Sequence, residues 1–163
     1  MVTTLGELYL RSREALLETE EPQMAGQMAR DLVSTLSGRT QEQFLVDRDR
    51  EAPEELVLQV LDGVDRLKRG EPLPYVLGEW TFYGLPMVVS PDVLIPRDDT
   101  CALAELAIHR GLFLEKDPRI LDLCCGSGCI GLAIASRLKD ARVTLADLSR
   151  EARTVAKKNI QRN

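Results

Sequence analysis

Histidine and asparagine are almost missing from this sequence: His109, Asn159 and Asn163 are the only such residues among 163. One histidine, at the polar helix end "IHRG", leaves no Ser–His–Asp arrangement to assemble. It also leaves no metal set: Cys125 and Cys129 stand four apart, but no second ligand pair accompanies them, and no metal site is assigned. No apolar run approaches the roughly 18 residues that a membrane span needs. The start "MVTTLGELYL" lacks the basic stretch and apolar core of a secretion signal. The four cysteines lack a disulfide-like distribution and suit a reducing cytoplasm. A net charge of −5 provides no basic excess for nucleic acid, although an acidic chain can still dock a basic protein.

What is present divides into three stretches. Residues 1–70 read as short amphipathic helices. Thr4 and Glu7 form a capping box, and Leu5, Leu8, Ser12 and Leu16 follow at helical spacing. Pro22 opens a second helix with Met28, Leu32 and Leu36 every four residues, stopped by Gly38. Thr40 and Gln43 repeat the capping pattern. Pro53 opens another helix with Leu56, Val57, Val60, Leu61, Val64 and Leu67 on one side and Gly70 at its end. A small helical bundle is expected.

Residues 71–96 change character, with β-branched and aromatic residues set between Gly and Pro. "EWTFYG" and "MVVS" predict two strands around a Gly84–Pro86 turn, a hairpin linking two domains. Residues 97–163 begin with a helix whose apolar side is Ala102, Leu103, Leu106 and Ala107. From Arg119 the pattern is α/β. "RILDLCC" is a continuous apolar run of the kind buried in parallel sheets, "GSGCIGLAIASRL" a helix starting at glycines, "ARVTLAD" a second strand, and "SREARTVAKKNIQ" a helix capped by Ser149. Strand, glycine turn, helix, strand, helix is the opening half of a Rossmann-like sheet. The fold class is therefore α/β, joining a helical bundle, a hairpin and part of that sheet.

The glycine turn carries the chemistry. Gly126, Gly128 and Gly131 form G-x-G-x-x-G between a strand and a helix, a nucleotide-cofactor position. Asp147 ends the second strand 21 positions after Gly126 and suits ribose hydroxyls, which NAD and S-adenosylmethionine share. Asp122 separates them. A pyrophosphate wants amides and a helix dipole with no carboxylate nearby. The ammonium and sulfonium of S-adenosylmethionine are attracted to one. The D-L-x-x-G-x-G arrangement leans toward S-adenosylmethionine, with NAD as the alternative. Cys124, Cys125 and Cys129 read as small buried thiols beside the turn, Cys101 as a helix residue, and Gly131 as helix–strand packing.

"LGEWTFYGLPMVVSPDVLIPRDDT" followed by "ILDLCCGSGCIGLAIA" resembles the HemK/PrmC family of protein-glutamine methyltransferases, which act on peptide chain release factors. The likeness runs through the whole chain in the family's order: helical domain, hairpin, cofactor turn. It implies that S-adenosylmethionine contacts Cys124, Cys125, Gly126, Ser127, Gly128 and Asp147, to which the charge argument adds Asp122. It implies that Arg97 and Thr100, in the loop "IPRDDT", line the active-site mouth. It implies a release factor as protein partner, gripped by the helical domain, with a ribosomal protein as the sister substrate.

Two departures stand out. The family's I-P-R-P-x-T-E loop has Asp98 in place of the second proline and Cys101 in place of the glutamate. Neither asparagine is followed by proline, so the family's N-P-P-Y segment is absent and no catalytic residue is assigned. In the family that segment holds the glutamine amide, a poor nucleophile whose lone pair is delocalised, and orients it toward the methyl group. The chain is expected to be a piece of such an enzyme, with an apolar sheet edge prone to self-association. A non-catalytic docking module and an NAD-binding oxidoreductase fragment are the competing readings.

Overall fold

The structure is a computed structural model that describes residues 3–113 and 117–163. The chain divides into two compact units, Met1–Leu77 and Gly78–Asn163.

The first unit is helical: α1 (Leu5–Leu16), α2 (Pro22–Leu36), α3 (Gln41–Asp47), α4 (Glu54–Lys68) and α5 (Leu73–Leu77). Local chemistry starts most of them. The Thr4 hydroxyl accepts from the Glu7 amide at 3.2 Å, and the Glu7 carboxylate accepts from the Thr4 amide at 2.9 Å. Thr40 and Gln43 repeat that reciprocal cap on α3. Pro22 is the first residue of α2, where its missing N–H costs nothing. Leu5, Leu8, Leu16, Leu32, Val33 and Val60 are fully buried in one core, each worth about 1.5–3 kcal/mol of transfer free energy.

The spacing of large apolar residues misses part of this packing. On α2 the buried face is Ala25, Ala29, Leu32 and Val33, with Met28 and Leu36 only flanking the core. Gly26 is turned to α1, where a Cβ on it would stand 3.6 Å from Arg13 Nε, because small residues let the two helices approach. On α4, Leu61 is exposed, while Leu56, Val60, Val64 and Leu67 are inside. Helix α5 lies in the stretch read as the start of the hairpin linker, for which no helix was expected.

The second unit opens with the hairpin β1 (Glu79–Phe82) and β2 (Leu85–Val88), in which Trp80 pairs with Met87. The turn is Tyr83–Gly84 rather than Gly84–Pro86. Both turn residues have positive φ, 52° and 78°, the backbone twist that two-residue hairpins need. Pro86 sits within β2. The hairpin packs inside this second unit, with β2 against the C-terminal helix.

Helix α6 (Asp99–Leu112) follows, then β3 (Arg119–Leu123), α7 (Cys129–Arg137), β4 (Arg142–Ala146) and α8 (Arg150–Arg162). Strands β3 and β4 are parallel, with Asp122 beside Leu145 and Leu123 beside Ala146. A parallel βαβα unit is the α/β pattern expected from the sequence.

Two faces differ from expectation. Helix α6 buries Ala104, Ile108 and Gly111, whereas Ala102, Leu103 and Leu106 are exposed. The small residues face α7, and a Cβ on Gly111 would collide with Leu138. Strand β3 is covered on one face only: Ile120 and Asp122 are half-buried, but Leu121 and Leu123 are 60% and 68% exposed. The continuous apolar run is thus half-covered by the described residues.

Candidate functional site

The turn between β3 and α7 lies at the carboxyl ends of both parallel strands, where open α/β sheets hold ligands. Its backbone is unusual at three positions. Cys124, Gly126 and Gly128 all have positive φ, at 61°, 54° and 80°. The two glycines take this at little cost; Cys124 carries strain. The three glycines of the motif then separate by environment. A Cβ on Gly128 would come within 2.8 Å of Leu145, and a Cβ on Gly131 would overlap Leu145 and meet Val143 at 3.2 Å, so both serve packing on β4. A Cβ on Gly126 would meet nothing within 4 Å. Gly126 is the glycine that faces open space.

The carboxylates complete the turn. Helix α7 begins at Gly128, which has no side chain to cap it. Asp122, reaching from β3, takes that role, and its Oδ2 accepts from the Gly131 amide at 2.9 Å. It thereby occupies the positive end of the helix. Asp147, at the end of β4, bridges two elements. Its Oδ2 accepts from the Gly126 amide at 2.8 Å and its Oδ1 from the Ser149 amide at 2.9 Å. The Cys125 amide donates to Ala146 O at 3.0 Å, and the Gly128 amide to Cys125 O at 2.7 Å. Four amides of the turn and the first turn of α7, those of Cys125, Gly126, Gly128 and Gly131, are therefore engaged within the protein, two of them by carboxylates.

The electrostatics follow. Burial pushes the Asp122 carboxyl up, the Gly131 amide opposes this, and the charge of Asp147 adds to it. The Gly126 and Ser149 amides hold Asp147 below the usual carboxylate range. Two acids at one turn repel an incoming phosphate and attract a cation. Burial pushes the Cys125 and Cys129 thiols up, and both are buried, which fits packing rather than reactivity. Cys124, in contrast, is exposed, so the expectation of small buried thiols fails for it. Its positive φ turns it out of the core.

The remaining candidates lie apart from this hydrogen-bond set. Thr100 is the second residue of α6, and its amide donates to Arg97 O at 2.9 Å. Arg97 is exposed and makes no ion pair among the described residues. Helix α6 brings Cys101 and Ala104 against Cys129 and Ala133 of α7, so its first turns run beside the start of α7. No described hydrogen bond joins Arg97 or Thr100 to the turn. One residue that sequence reasoning passed over is central: Asn159, fully buried on α8, donates to Ser127 O at 2.9 Å. It sits at the i+4 position after the buried Val155, but only the fold reveals its partners.

Residues 7–78 match the PrmC N-terminal domain, and residues 104–163 match the methyltransferase small domain. A release factor glutamine methyltransferase of Vibrio cholerae is 43% identical over 116 residues, covering 71% of this chain and 39% of that protein. That of Escherichia coli is 34% identical over 149 residues, covering 91% of this chain and 53% of that protein. That of Haemophilus influenzae is 38% identical over 144 residues, covering 81% of this chain and 49% of that protein. The chain thus spans about half or less of the curated relatives it matches. With the PrmC N-terminal domain and the methyltransferase small domain matched in the order in which they lie here, the chain belongs to the PrmC family, whose relatives above are named release factor glutamine methyltransferases.

Proposed function

We propose that this chain is the S-adenosylmethionine-binding and release-factor-docking portion of a protein-glutamine methyltransferase acting in the cytoplasm. The observation that carries the reading is the pair of carboxylates on the turn around Gly126. Asp122 occupies the helix end where a phosphate would otherwise sit, and its charge favours the ammonium and sulfonium of the cofactor. Asp147 stays ionised beside Gly126 and keeps lone pairs for ribose hydroxyls. Cys124, Cys125, Ser127 and Gly128 shape the turn, and the open side of Gly126 admits the ligand. Arg97 and Thr100 would line the mouth, since α6 runs beside α7. The bound cofactor would supply an electrophilic methyl group for a glutamine amide nitrogen. This chain's residues bind and orient the cofactor, and none is assigned to activating the amide.

Calorimetric titration with S-adenosylmethionine, S-adenosylhomocysteine and NAD tests the cofactor. Binding of the first two without NAD supports the reading, whereas binding of NAD alone would sink it. The names of the relatives favour a release factor over a ribosomal protein as substrate. Pull-down with purified release factor, against Met1–Leu77 expressed alone, tests whether the helical unit provides the grip.

The partly uncovered β3 supports one further expectation. Its second edge has no strand partner among the described residues, and Leu121 and Leu123 are exposed. The isolated chain should associate with itself through this surface. Sedimentation as a well-folded monomer at high concentration would count against that.

A further inference from the structure

Asn159 makes three hydrogen bonds with a side chain that is fully buried. The Val88 amide donates to its Oδ1 at 2.6 Å. Its Nδ2 donates to Val88 O at 3.0 Å and to Ser127 O at 2.9 Å. The partners fix the amide orientation without ambiguity, because an N–H must meet the oxygen and two carbonyls must meet the NH2. For β2 the side chain does what a neighbouring strand would do, pairing both backbone groups of the last hairpin residue. For the turn it holds one peptide plane. The Ser127–Gly128 peptide has its carbonyl on Asn159 and its N–H on Cys125 O, so both ends are fixed.

We infer that Asn159 is a positioning residue that couples the β1–β2 hairpin to the cofactor turn, so that occupancy of the turn and order of the hairpin rise and fall together. The cofactor side of this inference rests on the function proposed above. A coupling of this kind is reciprocal: whatever the cofactor does to the hairpin, a change at the hairpin does to cofactor affinity. Hydrogen bonds to a buried amide hold one geometry firmly because a broken one leaves an unpaired group without water. The other described ties between hairpin and α8 are more exposed: Arg162 to Glu79 at 2.6 Å and Asn163 Nδ2 to Pro86 O at 3.0 Å.

The chain carries its own reporter. Trp80, the single tryptophan, lies on β1 opposite Met87 and is 37% exposed. In the wild-type chain, S-adenosylhomocysteine should change Trp80 fluorescence with the same midpoint that calorimetry gives, and should slow exchange of the Val88 amide. Asn159→Asp keeps the volume but cannot donate to Ser127 O or Val88 O. It should weaken binding on the order of tenfold, the worth of about one net hydrogen bond, and silence Trp80. Arg162→Ala, which leaves Asn159 intact, should retain both responses. Asn159→Asp that folds, binds with wild-type affinity and keeps the Trp80 response would overturn the inference. So would wild-type binding that changes neither Trp80 nor the Val88 amide, a result that needs no variant to fold. If the wild-type chain binds neither S-adenosylhomocysteine nor S-adenosylmethionine, the proposed function fails. Exchange of the Gly128 amide in the ligand-free chain then decides: faster exchange in Asn159→Asp upholds the coupling, and equal exchange refutes it.

Discussion

The two units each bury some leucines and expose others, but only the first gathers several of them, fully buried, in one core. In Met1–Leu77, Leu5, Leu8, Leu16 and Leu32 are wholly inside one core, with Tyr9 and Phe44 packed edge to face at 5.9 Å. In Gly78–Asn163, Leu106, Leu121, Leu123 and Leu148 are all at least 60% exposed, and the buried positions mix small residues such as Ala104, Cys129 and Ala133 with Phe82, Met87 and Ile134. The first unit closes around its large side chains. The second holds its elements by small-residue contacts and by polar ties such as Asp122, Asp147 and Asn159, and it leaves a sheet face bare.

The largest expected effect breaks this comparison directly. Leu32→Ala should cost about 2–5 kcal/mol by emptying a closed core. Leu121→Ala should stay within about 0.5 kcal/mol at dilutions where the chain does not associate with itself. Denaturant titrations of both variants check this, and similar costs would mean that the bare face is covered in solution. Next comes Asp122→Asn. An amide oxygen can still accept from Gly131, so the cap survives and stability should hold or rise. Losing the charge should weaken S-adenosylmethionine binding on the order of tenfold. Calorimetry together with thermal melts separates the two effects, and equal losses in both would remove the electrostatic role.

The acids also set opposite pH dependences. Asp147 lies below its ordinary value, so its stabilisation is complete above the usual aspartate range and is lost as pH falls through its own lower value. Asp122 lies above its ordinary value, so its contribution is complete below the usual range and is lost as pH rises through its own higher value. Melting curves between about pH 3 and pH 7 should therefore tilt in opposite senses for Asp147→Asn and Asp122→Asn. A common tilt would contradict the assigned causes. The smallest effect sharpens the comparison at the surface. Arg162→Ala breaks a partly exposed pair with Glu79 and should cost under about 1 kcal/mol in a denaturant titration. A loss of several kcal/mol would give that pair the role assigned to Asn159.

What the sequence made legible is what short-range chemistry decides. Thr4 with Glu7, Pro22, Thr40 with Gln43, and Ser149 act within a few residues, and each starts a helix where it was expected to. The βαβα order was legible from the change of hydrophobic period and the glycine turn. The buried face of α6 was not, because Leu138 and α7 select Ala104, Ile108 and Gly111 over the larger Leu103 and Leu106. The hairpin turn shifted because Tyr83 accepts a positive φ that its residue type disfavours. At the site, Asp122 and Asp147 could be named from their distance to the glycines, but the amides they hold could not. Asn159 was invisible, since its partners lie 71 and 32 residues away in sequence.

The turn proposed above as the site of a cationic cofactor should discriminate against one that carries a pyrophosphate. Calorimetric titration of the chain with S-adenosylmethionine and with NAD tests it most directly. The account predicts saturable binding of S-adenosylmethionine, weakened by Asp122→Asn, and no heat from NAD. Saturable binding of NAD with none of S-adenosylmethionine would contradict it.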